Sequence, residues 1–576
     1  MGEKAKNRYH CICMDISKKR IATKLNSYIK KQCKFDLLAG FTVAMIAIPQ
    51  AMAYATIAGV NPLFGLYTAI IPTIVGSLFG SSRQLITGPT NATALVTASL
   101  LILYADQTNY LEFVFVFAIL SGVIKLVIGL LGLGKIIRYV SNSVLTGFLC
   151  GAGVLIILNQ SGNMIGVQRL QGRGTPAVFL HLIKNIPEAN LYVFLIGLIT
   201  MFVLLAGKLI NRKLPSALIA ILFTTIFVYI MGWHQFDVKL LGDINTHSSI
   251  GLSFHLPQIP LNTISLYISG AVALAIFSLV EAGSISKAIG LTTEQHINPS
   301  KEFIGQGLAS FIGGFFQCIP SSASPSRSAV NLSSGAKTKM AGIFSGVFVL
   351  ISVVFIKDLI GYIPIVCLSA VVIISAISLF DKQHIKLIWK GRIVSRLVFL
   401  TTLLSTILFP LQYAIYIGII LSILIYLVET SHLDVTYLTV TENGNFVEHE
   451  IEDLAIIKPE VAIINIEGAL YFGAVSDLEE KLEKVLLTGV RVAILRLRRM
   501  KHMASTGISS FELMASKARQ MGISLIFCGV NPEIEAIFET SGLTSKIGSK
   551  MTFRSTHTLF ESTSEAIKRA EEICSS

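Results

Sequence analysis

The chain has 576 residues, 53% of them hydrophobic and only 14% charged, with a mean hydropathy of +0.69. That balance excludes a water-soluble surface over most of the length. The net charge of +13 is uneven: residues 1–35 hold ten basic and two acidic groups, whereas residues 431–576 hold fifteen and twenty, so no segment reads as a nucleic-acid-binding block and the last quarter reads as an ordinary soluble domain.

Residues 1–35 form a basic arm in which no small-residue cleavage site follows a short apolar core, so a cytosolic segment touching anionic lipid headgroups is expected. The eight cysteines show neither paired zinc spacing nor an extracellular cluster, and no metal or disulfide framework is expected. From residue 36 to 430 the chain divides at polar and Gly/Pro breaks into fourteen candidate spans, near 37–57, 64–80, 88–104, 111–132, 140–160, 190–209, 214–232, 264–282, 303–317, 326–336, 340–356, 363–380, 393–409 and 411–429. Lys and Arg test the parity of this count. Alternate loops hold fifteen of them (Arg83; Lys135 and Arg138; Lys208, Arg212 and Lys213; Lys287 and Lys301; Lys337 and Lys339; Lys382, Lys386, Lys390, Arg392 and Arg396), and the opposite loops hold five (Arg169, Arg173, Lys184, Lys239 and Lys357). Both termini are therefore expected on the cytosolic side. Two cations remain: Lys125, expected to snorkel from its apolar helix, and Arg327.

Arg327 lies in a segment too short and polar for an ordinary span, Pro320-Ser321-Ser322-Ala323-Ser324-Pro325-Ser326-Arg327-Ser328. A solvated loop is one reading. Against it, Gly76-Ser77-Leu78-Phe79 followed by Gly88-Pro89-Thr90 is echoed by Gly313-Gly314-Phe315-Phe316 followed by Ser324-Pro325-Ser326, with glycine-to-proline spacings of thirteen and twelve. Seven spans per half is odd, so the second copy must be inserted upside down, and matching Gly/Pro interruptions point to a site near the midplane. Pro89 and Pro325 each stand where a first helical turn would begin. Two short helices would then aim their N-termini at each other, with free N–H groups, Arg327 and the polar groups of Thr90, Asn91, Ser324, Ser326 and Ser328 favouring an anion. Each hydroxyl taken alone is a helix cap. Glu281 is the other deep charge, read either as a static partner of Arg327 or as a protonatable or cation-binding coupling group.

Ile48-Pro49-Gln50-Ala51-Met52-Ala53-Tyr54-Ala55, Phe64-Gly65-Leu66-Tyr67, Phe79-Gly80-Ser81-Ser82-Arg83 and Gly335-Ala336-Lys337-Thr338-Lys339-Met340-Ala341-Gly342 resemble, in the expected order, the signature of the sulfate permease (SulP) family, the last stretch being found in its prestin-like animal members. The resemblance implies an α-helical polytopic membrane protein with a 7+7 inverted repeat, in which a core domain carries an anion between spans one, three, eight and ten and moves against a gate domain. By position it implies a binding region of Gln50, Tyr54, Pro89, Thr90, Glu281, Ser326 and Arg327. Tyr54 has ordinary packing as its other reading.

After residue 430, β-rich runs at 461–466, 492–497 and 524–528 alternate with amphipathic stretches at 475–487 and 507–521, which predicts a small cytosolic α/β domain. Glu467-Gly468-Ala469-Leu470-Tyr471-Phe472-Gly473 and Ala504-Ser505-Thr506-Gly507 make it similar to a STAS domain, with Ala504 where relatives carry an acidic residue. Thr506 is a candidate regulatory residue, its other reading being a helix cap. The domain is expected to serve dimer contacts, trafficking or regulation.

The expectation is a secondary anion transporter, not an enzyme, in a plasma or bacterial inner membrane. It takes up a small inorganic anion, sulfate first, with H+ or Na+ and no cofactor, and works as a homodimer in membrane lipid without nucleic acid. Bicarbonate transport or exchange is the alternative within the class, and a non-transporting anion or voltage sensor the alternative outside it.

Overall fold

The computed structural model describes residues 26–101, 110–134, 141–167, 175–211, 214–243, 251–258, 261–431, 433–441, 444–457 and 459–575. Most of the basic arm and Lys135, Arg138, Arg169, Arg173, Arg212 and Lys213 of the charge pattern lie outside these residues. The chain divides into two compact units, one ending at Ser422 and the other beginning at Ile423.

Among the described residues, a helix stands at each of the fourteen places the hydropathy breaks predict, the last running from the first unit past Ser422: α1 Cys33–Ile57, α2 Pro62–Phe79, α3 Asn91–Leu101, α4 Tyr110–Leu130, α5 Asn142–Ile165, α6 Leu191–Ile210, α7 Ser216–Ile230, α8 Leu261–Thr293, α9 Pro299–Phe315, α10 Pro325–Ser333, α11 Met340–Ile360, α12 Ile365–Ile377, α13 Ile393–Leu408 and α14 Leu411–Ser431. Short helices Thr175–Lys184 and Lys382–Lys390 occupy two connections. Local chemistry sets many ends. Asn61 accepts from Leu63 N before α2, and Asn298 accepts from Lys301 N before α9, each with proline in the first turn. α8 runs 33 residues, so Lys287 belongs to its last turns rather than to a loop.

The packing repeats under exchange of the two halves. α4 lies on α8 and α9 as α11 lies on α1 and α2, and α5 meets α13 as α12 meets α6. Each such pair is what an upside-down copy of a seven-helix unit produces. At the centre, two-residue strands β1 (Thr87–Gly88) and β2 (Ser322–Ala323) pair antiparallel, Thr87 opposite Ala323 and Gly88 opposite Ser322. Backbone at membrane depth must be paired within the protein, and this pairing serves the two chain breaks that precede α3 and α10.

Small residues let α4 and α9 approach closely. A Cβ on Gly122 would lie 2.4 Å from Phe311 N, and one on Gly307 would lie 2.7 Å from Leu126 N. That seam carries Lys125 inward instead of outward. Lys125 is fully buried, and its Nζ donates to Ser321 O at 2.7 Å and Ser310 Oγ at 3.0 Å. The expected snorkelling is thus corrected: the side chain leaves α4 on the face of Gly122 and Gly129, which packs on α9.

In the second unit, sheet order is β4-β3-β5-β6-β8-β9, from strands β3 Asp434–Val440, β4 Phe446–Glu450, β5 Val461–Leu470, β6 Val492–Arg496, β8 Ser524–Val530 and β9 Thr552–Arg554, with β7 Met500–Met503 also pairing β5. β5, β6, β8 and β9 are parallel, and β3 is antiparallel to both its neighbours. α15 Val475–Leu487, α16 Ser505–Gln520 and α17 Pro532–Thr540 bury Leu478, Leu482, Phe511, Met514 and Phe538 on one face, and α18 Glu561–Ser575 buries Ala566 and Ala570 on the other. Thr506 does not cap α16. The N-cap is Ala504, without a side-chain bond, and Thr506 is an exposed residue of the first turn.

Candidate anion site between two half-helices

The site is built on β1 and β2. Thr73 Oγ1 of α2 donates to Thr87 O at 2.6 Å, and Gln306 Nε2 of α9 donates to Thr87 Oγ1 at 2.8 Å. β2 is held by Lys125 and Ser310 through Ser321, and by Glu281, whose Oε2 accepts from Ser322 Oγ at 2.6 Å. The strand pair therefore draws on α2, α4, α8 and α9 together.

From these strands the chain turns into α3 and α10. Pro89 lies two residues before the first residue of α3, whereas Pro325 opens α10, so only the second proline occupies a first helical turn as expected. Thr90 Oγ1 accepts from Thr93 N at 3.3 Å, and Ser324 Oγ accepts from Arg327 N at 3.4 Å. Both hydroxyls act as caps while facing a common cavity. The two ends are tied: Ser324 N donates to Ile86 O at 2.8 Å, Ile86 N to Ser328 Oγ at 2.9 Å, and Arg327 Nη2 to Pro89 O at 2.6 Å. The helix N-termini thus converge, each with free N–H groups and a fractional positive charge.

A cavity of about 2110 Å³ is lined at depth by Gln50, Tyr54, Thr90, Asn91, Glu281, Ser324 and Ser326. Its lining also takes in Asn142, Lys208, Asn298 and Asp381, at the connections that carry most of the basic residues. Pro89, Arg327 and Ser328 stand one layer behind this lining. Arg327 is 0% exposed, and its Nε and Nη1 have no partner. Its guanidinium lies against Gly88, where a Cβ would come within 2.7 Å of Nη1. Gln50 Oε1 and Asn91 Oδ1 are likewise buried without partners. Unpaired polar atoms at this depth are costly unless something else engages them.

Three buried carboxylates in this unit differ in their partners. Glu302 Oε2 accepts from Ser81 N and Ser82 N, both at 2.8 Å. Asp36 accepts from Lys337 N at 2.7 Å, Thr338 N at 3.0 Å and Thr338 Oγ1 at 2.5 Å. Those two each accept from two backbone N–H groups and hold loops. Glu281 has one hydroxyl and faces the cavity, and no ion pair joins it to Arg327, so of the two readings made from sequence the static bridge is absent. Lys125 and Arg327 both lie close enough to Glu281 for their charges to interact without forming an ion pair.

From sequence, Lys125 is expected at the membrane interface, Gly88 and Ser322 enter only as parts of motifs without a role of their own, and Ser310 is not named. Gly122, Lys125 and Gly129 share one helical face, and a cation between two glycines on such a face is the pattern that marks Lys125 as inward-facing.

The sulfate permease family profile matches residues 34–403, and the STAS domain profile matches residues 454–566. Putative sulfate transporter YvdB of Bacillus subtilis (strain 168) is 25% identical over 545 residues, covering 93% of this chain and 98% of its own. Sulfate transporter 4.1, chloroplastic, of Arabidopsis thaliana is 26% identical over 551 residues, 91% of this chain and 79% of its own. Among solved structures, murine Solute Carrier 26 family member A9, an anion transporter in the inward-facing state, superposes with a TM-score of 0.82 at 18% identity, covering 94% of this chain and 92% of that one. The chain therefore belongs to the sulfate permease family: an α-helical multi-pass membrane protein whose fourteen spans form a 7+7 inverted repeat, followed by a STAS domain.

Proposed function

We propose that this chain is a secondary active transporter of an inorganic anion, with sulfate as the cargo and H+ or Na+ as the coupling ion. The single observation that carries the reading is a fully buried guanidinium with unpaired donors, set behind two converging half-helix N-termini at the end of a polar cavity. Such a place is attractive to a negative ion and poorly suited to anything else. The sulfate assignment draws on the two relatives, both named sulfate transporters.

In this reading the anion rests among Gln50, Tyr54, Thr90, Asn91, Ser324 and Ser326. The N-termini of α3 and α10 polarise it directly, while Arg327 acts through Pro89 and Gly88 as a fixed charge one layer back. Glu281, at the same cavity wall, takes the coupling ion. α1–α4 and α8–α11 form the moving core, α5–α7 and α12–α14 the gate, and access alternates as one slides on the other. With the basic loops cytosolic, the cavity faces inward.

The test is uptake of labelled sulfate by proteoliposomes of the purified full-length chain, with and without imposed proton and sodium gradients. Gradient-driven accumulation is expected. Sulfate binding without flux would favour a sensor, and bicarbonate flux with sulfate excluded would overturn the cargo.

A further inference from the structure

Lys125 plays no part in the reading above, although an ammonium buried in the membrane interior is costly and calls for a role. Its two partners are a backbone carbonyl and a serine hydroxyl, neither of which neutralises it. The carbonyl is that of Ser321, one residue from Ser322, which in turn holds Glu281, and the hydroxyl is that of Ser310 on α9, itself bonded to Ser321. The interior around β1 and β2 thus contains two basic side chains, Lys125 and Arg327, and one carboxylate, Glu281. Every element packed on α8 near Glu281 can be checked for further charge. α4 brings Lys125, its Glu112 lying at the other end in contact with His255; α10 with β2 brings Arg327; α3 brings no ionisable residue; α9 brings Lys301 and Glu302 only at its far end, where Glu302 is bound to Ser81 and Ser82; Tyr54 faces from α1.

A low-dielectric core tolerates moving only when its charges cancel. With Glu281 ionised, the empty site carries one net positive charge, and a monovalent anion cancels it. A dianion cancels the two cations only if Glu281 is also neutral, which a single proton on its carboxyl achieves. We infer that Lys125 is a specificity-determining residue, a tethered second cation that sets the neutral load at one dianion plus one proton and leaves no need for a sodium ion. This rests on the transport reading and deepens it by naming the ion and its stoichiometry. The lysine also explains the close α4–α9 seam, since only a glycine-lined approach delivers its four-carbon stem to Ser321.

The experiment uses full-length protein in proteoliposomes, with labelled sulfate and labelled chloride as separate cargoes. For the unmodified chain, sulfate uptake is expected to rise with an inward proton gradient, to be unchanged when choline replaces sodium, and to take up one proton per sulfate. In Lys125→Met, sulfate uptake is expected to fall at least about tenfold, whereas chloride uptake becomes proton-stimulated, because one fewer cation leaves a monovalent anion needing the proton. Lys125→Arg keeps both sulfate uptake and its proton dependence. Unchanged sulfate uptake in Lys125→Met overturns the inference and leaves the transport reading standing. A sodium requirement or two protons per sulfate in the unmodified chain does the same, and decides the matter even where Lys125→Met fails to fold. No uptake of any anion by the unmodified chain rejects both.

Discussion

The two half-helices come from one repeated plan and end up chemically unequal. α3 and α10 each follow a two-residue strand, each begin beside a proline, and each are capped by a hydroxyl, Thr90 in one and Ser324 in the other. Yet α3 is an apolar helix without an ionisable group, while α10 contains Arg327, whose guanidinium reaches back to Pro89 ahead of α3. Duplication supplies the geometry of two facing positive helix ends. Of the two half-helices, only α10 brings a guanidinium, which separates the task of shaping the site from the task of setting its charge.

Breaking the charged side should cost most. Arg327→Ala is expected to weaken sulfate binding about a hundredfold or more, since removing one partner from a buried charge arrangement typically costs 2–5 kcal/mol; calorimetric titration of purified protein checks it. Gly88→Ala keeps the arginine but places a methyl 2.7 Å from its Nη1, and should reduce affinity about tenfold through displacement of the guanidinium. Glu281→Gln should leave sulfate binding within about threefold of the original while abolishing the pH or sodium dependence of uptake; retained dependence would reject its coupling role. The two caps, one on each side, should behave alike: Thr90→Val and Ser324→Ala should each cost about 1 kcal/mol in thermal stability, so the asymmetry lies in the charges and not in the caps.

The smallest effect is expected far from both helices. Asp381 caps Lys382–Lys390, and the His384 imidazole 2.8 Å away holds its carboxyl below the usual range. A carboxyl with a depressed folded pKa adds stability above its unfolded pKa of about 3.9 and loses it as pH falls further. With half its side chain exposed, the pair is worth about 0.5 kcal/mol or less. Asp381→Asn should therefore leave the melting temperature at pH 7 almost unchanged and flatten its fall below pH 4.

Long-range order in the membrane unit was legible because bilayer thickness writes itself into hydropathy, and because Gly/Pro breaks at matching places betray an inverted copy. The half-helix pair around Pro89 and Pro325 was found this way. β1 and β2 were not, since two residues carry no periodicity. Lys125 was misjudged because its position near the end of a 21-residue apolar helix suits snorkelling as well as burial; only the glycines on its face tell the two apart. Asp36 and Glu302 gave no signal, their backbone partners lying 302 and 221 residues away. In the second unit, the parallel strands announced themselves as apolar runs, whereas the β3–β4 hairpin, with its exposed charged outer strand, did not.

The β1–β2 pairing bears on energetics as well as shape. Because both helix ends are stitched to one another by backbone, they travel as a single cradle in the proposed cycle, and the anion keeps the same neighbours whichever compartment it has reached. Intrinsic affinity is then equal on the two faces, so directionality has to be imposed from outside, by the gradient of the companion ion and the voltage across the bilayer.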